Sequence, residues 1–247
     1  MLFNNPISGE KADRMVRLIE LQPESHVLDV GCGTGELLLR IVGQHRARGV
    51  GVDVSPQCIT AARKAAAERS LAERCEFHEF NVRDVELCRN TFDLGICVGA
   101  THAFGPGEAA YPNSISWLRQ MVRPGGYVLI GEGYWKRSPD AEYLQRLGDP
   151  VGIYRDHAQN VSFAEQCGLE ALYAVTSSDD EWDEFEWSHY QQSRRAAEAS
   201  PDDQQLVARL ARSIRWRDGY LRWGRSTMGF GLYLFRVPRE SVSAEVK

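Results

Sequence analysis

Two hydrophobic periods alternate along the first half of the chain. Short apolar runs at His26–Val30, Gly49–Val54, Cys75–Phe80, Phe92–Val98 and Tyr127–Glu132 read as strands. Between them, Glu36–Gln44, Pro56–Ser70 and Ser114–Val122 carry apolar residues at helical spacing. Strand–helix alternation of this kind predicts an α/β fold, a parallel sheet with helices on both faces. An amphipathic helix is expected earlier, over Lys11–Leu21. Arg123-Pro124-Gly125-Gly126 should end the Ser114–Val122 helix and turn the chain into its fifth strand, because proline cannot continue a helix and glycine accepts the left-handed exit.

After Glu132 the alternation lapses. Gly133 to about Gly168 is mixed and is expected to cover the top of the sheet. Leu169–Thr176 and Phe230–Val237 read as two further strands. Asp180–Ala199 and Asp202–Leu221 read as helices, with Ser200-Pro201-Asp202 as break and cap. One domain is expected over residues 1–247. Its core covers about 22–135, 169–177 and 228–237, and 136–168 with 178–226 form a lid or insertion.

Composition narrows the class. The chain is 43% hydrophobic and 26% charged, ordinary for a globular protein with one substantial core. No run approaches the roughly 20 apolar residues of a membrane span, and Met1–Glu20 lacks a secretory apolar segment, so a cytoplasmic location is expected. Six cysteines show no C-x-x-C pair and no histidine cluster at ligand spacing, which points to reduced thiols and no metal. The net charge of −5 argues against a general attraction to nucleic acid.

The segment Val27-Leu28-Asp29-Val30-Gly31-Cys32-Gly33-Thr34-Gly35-Glu36 carries the most chemistry. A buried strand enters a glycine-rich turn and then a helix. Such glycines let a ligand approach the main chain, and the helix N-terminus offers N–H donors. Asp53, 22 residues after Gly31, ends the second strand where a carboxylate accepts ribose hydroxyls, with Val54 beside it. A nicotinamide nucleotide is the rival ligand, but its fingerprint is G-x-G-x-x-G. Here the spacing is G-x-G-x-G, and Glu36 stands at the third dinucleotide glycine, where a carboxylate repels a pyrophosphate. A phosphate-free cationic nucleoside fits better. The plain readings are that Asp29 braces the loop, Gly31, Gly33 and Gly35 are turn glycines, and Asp53 is a surface acid.

These segments resemble the class I S-adenosylmethionine-dependent methyltransferases from about Val27 to Glu132. Val27–Glu36 is similar to the family's glycine motif and Gly51–Ser55 to its ribose-binding acid. Phe92-Asp93-Leu94 resembles its fourth strand, and Leu118–Val128 its helix–Pro-Gly-Gly–strand element. The resemblance implies a Rossmann-like sheet, mostly parallel with one antiparallel strand, and S-adenosyl-L-methionine as cofactor, leaving S-adenosyl-L-homocysteine. It implies cofactor contacts from Asp29, Gly31, Cys32, Gly33, Gly35, Glu36, Asp53, Val54 and Val98. Where the family has an acid near the adenine, alignment from Phe77 puts Asn81, with Val82 as backbone donor; Asp84 is the choice if the register slips.

Two strand tails face the expected acceptor, Gly99–Gly105 and Gly131–Trp135. The Asn/Asp-Pro-Pro-aromatic motif of related amide and nucleobase methylases is absent, which removes a specific reason to expect those substrates. His102 is the candidate base because imidazole titrates near neutrality; the alternative is a hydrogen-bonded structural histidine. Glu132 is the candidate acceptor ligand. Thr101, Tyr134, Trp135, Trp182 and Tyr190 are candidate pocket residues, the aromatics through cation–π attraction or simple packing. Val98–Thr101, Gly131–Trp135, Glu181–Phe185 and Pro201–Asp203 are also similar to a bacterial group of stand-alone class I methyltransferases, which implies a shared lid and leaves the acceptor open. Trp182, Phe185 and His189 share a helix face, read first as a packing stripe. Six arginines between Arg209 and Arg225, interleaved with Trp216, Tyr220 and Trp223, read as a solvated face paired with acids, and otherwise as an RNA grip. A small-molecule O or N acceptor is expected; RNA methylation and a non-catalytic S-adenosylmethionine-binding module are the rivals. Oligomeric state is left open.

Overall fold

The computed structural model describes residues 2–84 and 88–239. Seven strands form one sheet: β1 (His26–Val30), β2 (Arg48–Asp53), β3 (Cys75–Glu79), β4 (Phe92–Val98), β5 (Val122–Trp135), β6 (Glu170–Thr176) and β7 (Met228–Arg236). Their order is β3-β2-β1-β4-β5-β7-β6, with β7 antiparallel to both neighbours and the other pairs parallel. This is the Rossmann-like arrangement, mostly parallel with one reversed strand.

Central strands buried on both faces need continuous apolar sequence, and β1 and β4 supply it. On one face Val27, Leu94, Ile96 and Leu129 pack against α1 (Gly9–Leu18), α2 (Glu36–His45) and α3 (Pro56–Glu68) through Met15, Leu38, Ile41, Ile59 and Ala62. On the other, Leu28, Val30, Cys97, Val128 and Ile130 meet α4 (Ala110–Met121) and α6 (His157–Gln166) through Ile115, Leu118 and Ala164. Each fully buried aliphatic side chain contributes roughly 1.5–3 kcal/mol.

Several helix ends are written locally. Ser55 caps α3 by accepting the Cys58 N–H, with Pro56 in the first turn. Ser178 and Glu181 form a capping box at the start of α7 (Asp179–Ala199), as Asp156 and Gln159 do for α6. Three boundaries differ from the sequence expectation. Helix α1 starts two residues earlier, where Ser8 accepts the Lys11 N–H. Helix α8 (Gln204–Gly219) is capped by Asp203, whose carboxylate takes the Gln205 and Leu206 N–H groups, while Ser200 closes α7. Strand β5 begins at Val122, pairing with Phe92, and the register shifts across Arg123–Gly126, where Gly125 takes the expected positive φ, 84°.

The stretch expected above the sheet divides in two. Residues 157–166 are α6, packed on the sheet face. The short α5 (Ala141–Leu147) and the α7–α8 hairpin instead meet at the carboxyl ends of β4 and β5.

Candidate active site

Sheet order reverses between β1 and β4, and open α/β sheets bind ligands outside the strand ends at that point. A cavity of about 890 Å³ opens there. It is lined by the β1–α2 turn, the ends of β2 and β4, the N-terminal segment before α1, and Ser188, His189, Gln192 and Arg195 of α7.

The turn itself is stiff. Gly31, Gly33 and Gly35 all have positive φ, at 71°, 54° and 76°. The Gly31 and Cys32 N–H groups donate to the Val52 carbonyl at 2.8 and 3.0 Å, and Gly35 N–H to the Cys32 carbonyl at 2.9 Å. Gly33 N–H donates to Asp53 Oδ2 at 2.9 Å, and Asp53 Oδ1 accepts from Ser55 N–H at 2.9 Å. The N–H groups of Gly31, Cys32 and Gly33 are therefore spent on β2 and on Asp53, and that of Gly35 on Cys32. A pyrophosphate at this turn would share the cavity with the Asp29 and Asp53 carboxylates.

Charge points the same way. Asp29 is buried in the cavity wall, and its carboxylate accepts no hydrogen bond among the described residues. Burial, with a smaller push from Asp53, raises its pKa to about 7. A cationic ligand would restore its charge. A Cβ on Gly33 would meet nothing within 4 Å, so this glycine fronts open space. A buried carboxyl without a partner, a second carboxylate at the ribose position and an empty cradle over Gly33 together fit S-adenosylmethionine.

The expected contacts are met unevenly. Asp29, Gly31, Cys32, Gly33, Glu36, Asp53, Val54, Val82 and Val98 line this cavity. Gly35 does not; its missing side chain makes room for Phe77 and Ala62. Asn81 lies outside the wall, because β3 stops at Glu79 and the Asn81 carboxamide accepts from Arg83 N–H at 3.1 Å. Asp84, the alternative, is exposed in the following turn. Glu36 lines the cavity but is not a free carboxylate: Arg40 pairs with it at 2.8 Å and Arg69 pairs with its other oxygen.

A second cavity, of about 280 Å³, adjoins the first, and Asn5, Gly99 and His102 belong to both walls. At Gly99 (φ 70°) a Cβ would collide with the Asn5 carboxamide, so the glycine admits Asn5 to the junction. Asn5 is fixed by donating from Nδ2 to the Val98 carbonyl at 3.2 Å. His102 is exposed at the same junction. Glu132 is part-buried in the wall, accepting from the Thr101 hydroxyl and from Gly133 N–H at 2.8 Å. Burial drives its pKa up to about 7, and those two hydrogen bonds and Arg155 oppose the rise.

Thr101, Trp182 and Phe185 line this second cavity; Tyr134, Trp135 and Tyr190 do not. Tyr134 packs on His157, at 5.3 Å between rings. The Trp135 indole donates to the Val151 carbonyl at 2.7 Å and stacks edge-on with Tyr154 behind the wall. Tyr190 lies under the Arg217 guanidinium, 4.6 Å from its ring centre. The aromatics actually present include Tyr111, Tyr143, Tyr154, Trp216, Tyr220 and Phe230. The helix face carrying Trp182, Phe185 and His189 does look into the site, the first two into the small cavity and His189 into the large one.

In the arginine run, Arg217 pairs with Asp218, Arg222 with Glu142, and Arg225 with Asp179 and Asp183. Among the described residues, no group of three or more His, Cys, Asp or Glu is placed to hold a metal, and no helix is long and apolar enough to cross a membrane.

Comparison with known proteins supports the resemblance. A methyltransferase-domain family matches residues 27–126, from β1 to the extended stretch before the β5 core. A Geobacter sulfurreducens S-adenosylmethionine-dependent methyltransferase, solved with S-adenosyl-L-homocysteine, superposes with a TM-score of 0.86. The two are 27% identical, over 96% of this chain and 94% of that one. This chain carries a methyltransferase domain and resembles S-adenosylmethionine-dependent methyltransferases over nearly its whole length.

The methyltransferase is also 28% identical to the Escherichia coli (strain K12) protein YjhP over 94% of this chain and 92% of that protein, and the YjhP crystal structure superposes with a TM-score of 0.84. A Mycobacterium tuberculosis tuberculostearic acid methyltransferase, UfaA1, is 35% identical over 49% of this chain and 27% of its own length. The chain is thus an enzyme of this class, with S-adenosylmethionine as cofactor.

Proposed function

We propose that this methyltransferase methylates an O or N atom of a small molecule held in the 280 Å³ cavity. The observation that carries the reading is that the two cavities meet at Asn5, Gly99 and His102, beyond the end of β4. One chamber suits an adenosine-sized ligand, and the other is too small for a polymer and is roofed by α7 and α8.

In this reading Asp53 receives the ribose hydroxyls, Asp29 faces the cationic end of the cofactor, and the Gly33 cradle lets the ligand lie against the main chain. Val54, Val82 and Val98 supply apolar wall. When bound, S-adenosylmethionine supplies a methyl group activated by its sulfonium. The protein's part is to align the acceptor atom and to exclude bulk water, which is where most of the barrier lowering in such a displacement arises. Thr101 and the Gly133 N–H fix Glu132 so that its carboxylate accepts a hydrogen bond from the acceptor. His102 takes the proton that an attacking hydroxyl or ammonium must lose. The chain acts as one domain with α7 and α8 as its lid. Six unpaired thiols support a reducing, cytoplasmic setting.

A metabolite-extract screen with isotopically labelled methyl donor, read by mass spectrometry, tests the proposal. A labelled small molecule formed by the wild type and lost in Asp53→Ala is the expected result. Label appearing only in RNA would overturn it.

A further inference from the structure

The walls of the small cavity hold two carboxylates and little to balance them. Glu132 sits at the end near the junction, and Glu186 projects from α7. Glu186 is buried and Glu132 part-buried. Glu186 accepts from the Trp216 indole N–H at 2.8 Å, and Glu132 accepts only from the Thr101 hydroxyl and Gly133 N–H. Among the described residues neither forms a salt bridge. Among the described residues the wall's lysine and arginine complement is Arg146, which donates to the Arg215 carbonyl at 2.7 Å and stacks over the Trp223 ring.

Burying a carboxylate is expensive, and burial raises both groups to about 7, with Arg155 pulling Glu132 back down and no cation doing so for Glu186 among the described residues. The surface around these carboxyls is aromatic: Tyr143, Trp182, Phe185, Tyr220 and Phe230. Aromatic faces attract cations, most strongly where water is excluded. The indole N–H of Trp182, one turn before Glu186 on α7, is buried without a hydrogen bond of good geometry and lies close enough to Glu186 to favour its charged form.

We propose that the methyl acceptor is a small molecule carrying an organic amine, whose cationic nitrogen is held by the Glu186 carboxylate inside this aromatic wall while another atom of the molecule attacks the methyl group. The proposal rests on the small-molecule methylation reading above and specifies its substrate class. Glu186 is a specificity residue here, and Glu132 and His102 keep the roles already given.

The test uses full-length protein saturated with S-adenosylhomocysteine, titrated calorimetrically with benzylamine, benzyl alcohol and benzoate, and again with cyclohexylmethylamine and cyclohexylmethanol. The amines should bind about tenfold or more tighter than the matched alcohols, with benzoate weakest. Glu186→Gln should bring amine and alcohol within about threefold of each other while leaving S-adenosylhomocysteine affinity unchanged. Alcohols equal to amines, no binding by either amine, or an undiminished amine preference in folded Glu186→Gln overturns the proposal. If that variant does not fold, the wild-type series decides alone. Failure to bind S-adenosylhomocysteine in the first titration sinks the methyl-transfer reading instead, so the two failures are distinguishable.

Discussion

Asp53 Oδ2 accepts the backbone N–H of Gly33 at 2.9 Å, so the carboxylate proposed to meet a ribose also holds the glycine turn in shape. Each oxygen takes one backbone N–H and keeps lone pairs for a hydroxyl. Replacing Asp53 by Ala should lower S-adenosylhomocysteine affinity by about 10–100-fold and reduce unfolding stability by roughly 1 kcal/mol. Calorimetry and urea melts read the two effects separately. Unchanged affinity in Asp53→Ala would leave the residue as a loop brace alone.

Gly31 and Gly33 share a backbone conformation but differ in surroundings. A Cβ at Gly31 would lie 2.2 Å from the Ala100 Cβ, whereas one at Gly33 meets nothing within 4 Å. Gly31→Ala should therefore cost about 2–4 kcal/mol of stability through strain plus overpacking. Gly33→Ala should cost only about 1–2 kcal/mol but occupy ligand space, so its main effect is weaker cofactor binding. Equal stability losses for the pair would contradict this geometry.

Asp29 gives the ligand-free protein an unusual pH response. Its folded pKa, about 7, lies above the ordinary value of 3.8. Below pH 4 both states hold the proton. Between about 4 and 7 only the folded state does, so this residue's contribution to stability falls as pH rises, and above 7 the full penalty stands. Asp29→Asn should be the more stable protein at pH 8, by on the order of 1–3 kcal/mol, with the gap closing by pH 4. S-adenosylmethionine binding should tighten through pH 7 in the wild type and stay flat in the variant. Denaturant melts across pH, with parallel titrations, provide the check.

The N-terminal segment is tied to the lid by one carboxylate. Glu181 accepts from Lys11 Nζ, from Ser8 N–H at 2.9 Å and from Ser178 N–H at 2.8 Å. Burial pushes its pKa up, but these bonds outweigh it and hold the group at about 2. Its stabilisation is present above the ordinary value of 4.5 and disappears as pH falls toward 2. Glu181→Gln should destabilise the protein by about 1–3 kcal/mol at pH 7 and by almost nothing near pH 2. A pH-independent difference would mean the carboxylate's charge plays no part.

Much of the cofactor side could be read from the chain itself because its determinants are local. The run Val27–Val30, the alternating glycines and Asp53 lie within two consecutive strand–helix units, and strand ends follow from apolar runs bounded by turn residues. Asn81 lies outside the cavity wall because the end of β3 is set by pairing with β2, not by its own residues. Tyr134 and Trp135 lie outside both walls for a related reason: which way a strand's side chains face depends on the neighbouring β7 and on α6 behind it.

By itself, then, the sequence determined the sheet, its flanking helices and the acid-and-glycine turn that selects a phosphate-free nucleoside, since each is specified by residues a few positions apart. Only the tertiary structure decided that Glu36 is spoken for by Arg40 and Arg69, that Asn5 closes the junction across 93 residues to Val98, and that Glu186 arrives in the acceptor chamber from the lid. Those placements depend on how packed helices return over the sheet, and no local periodicity encodes them.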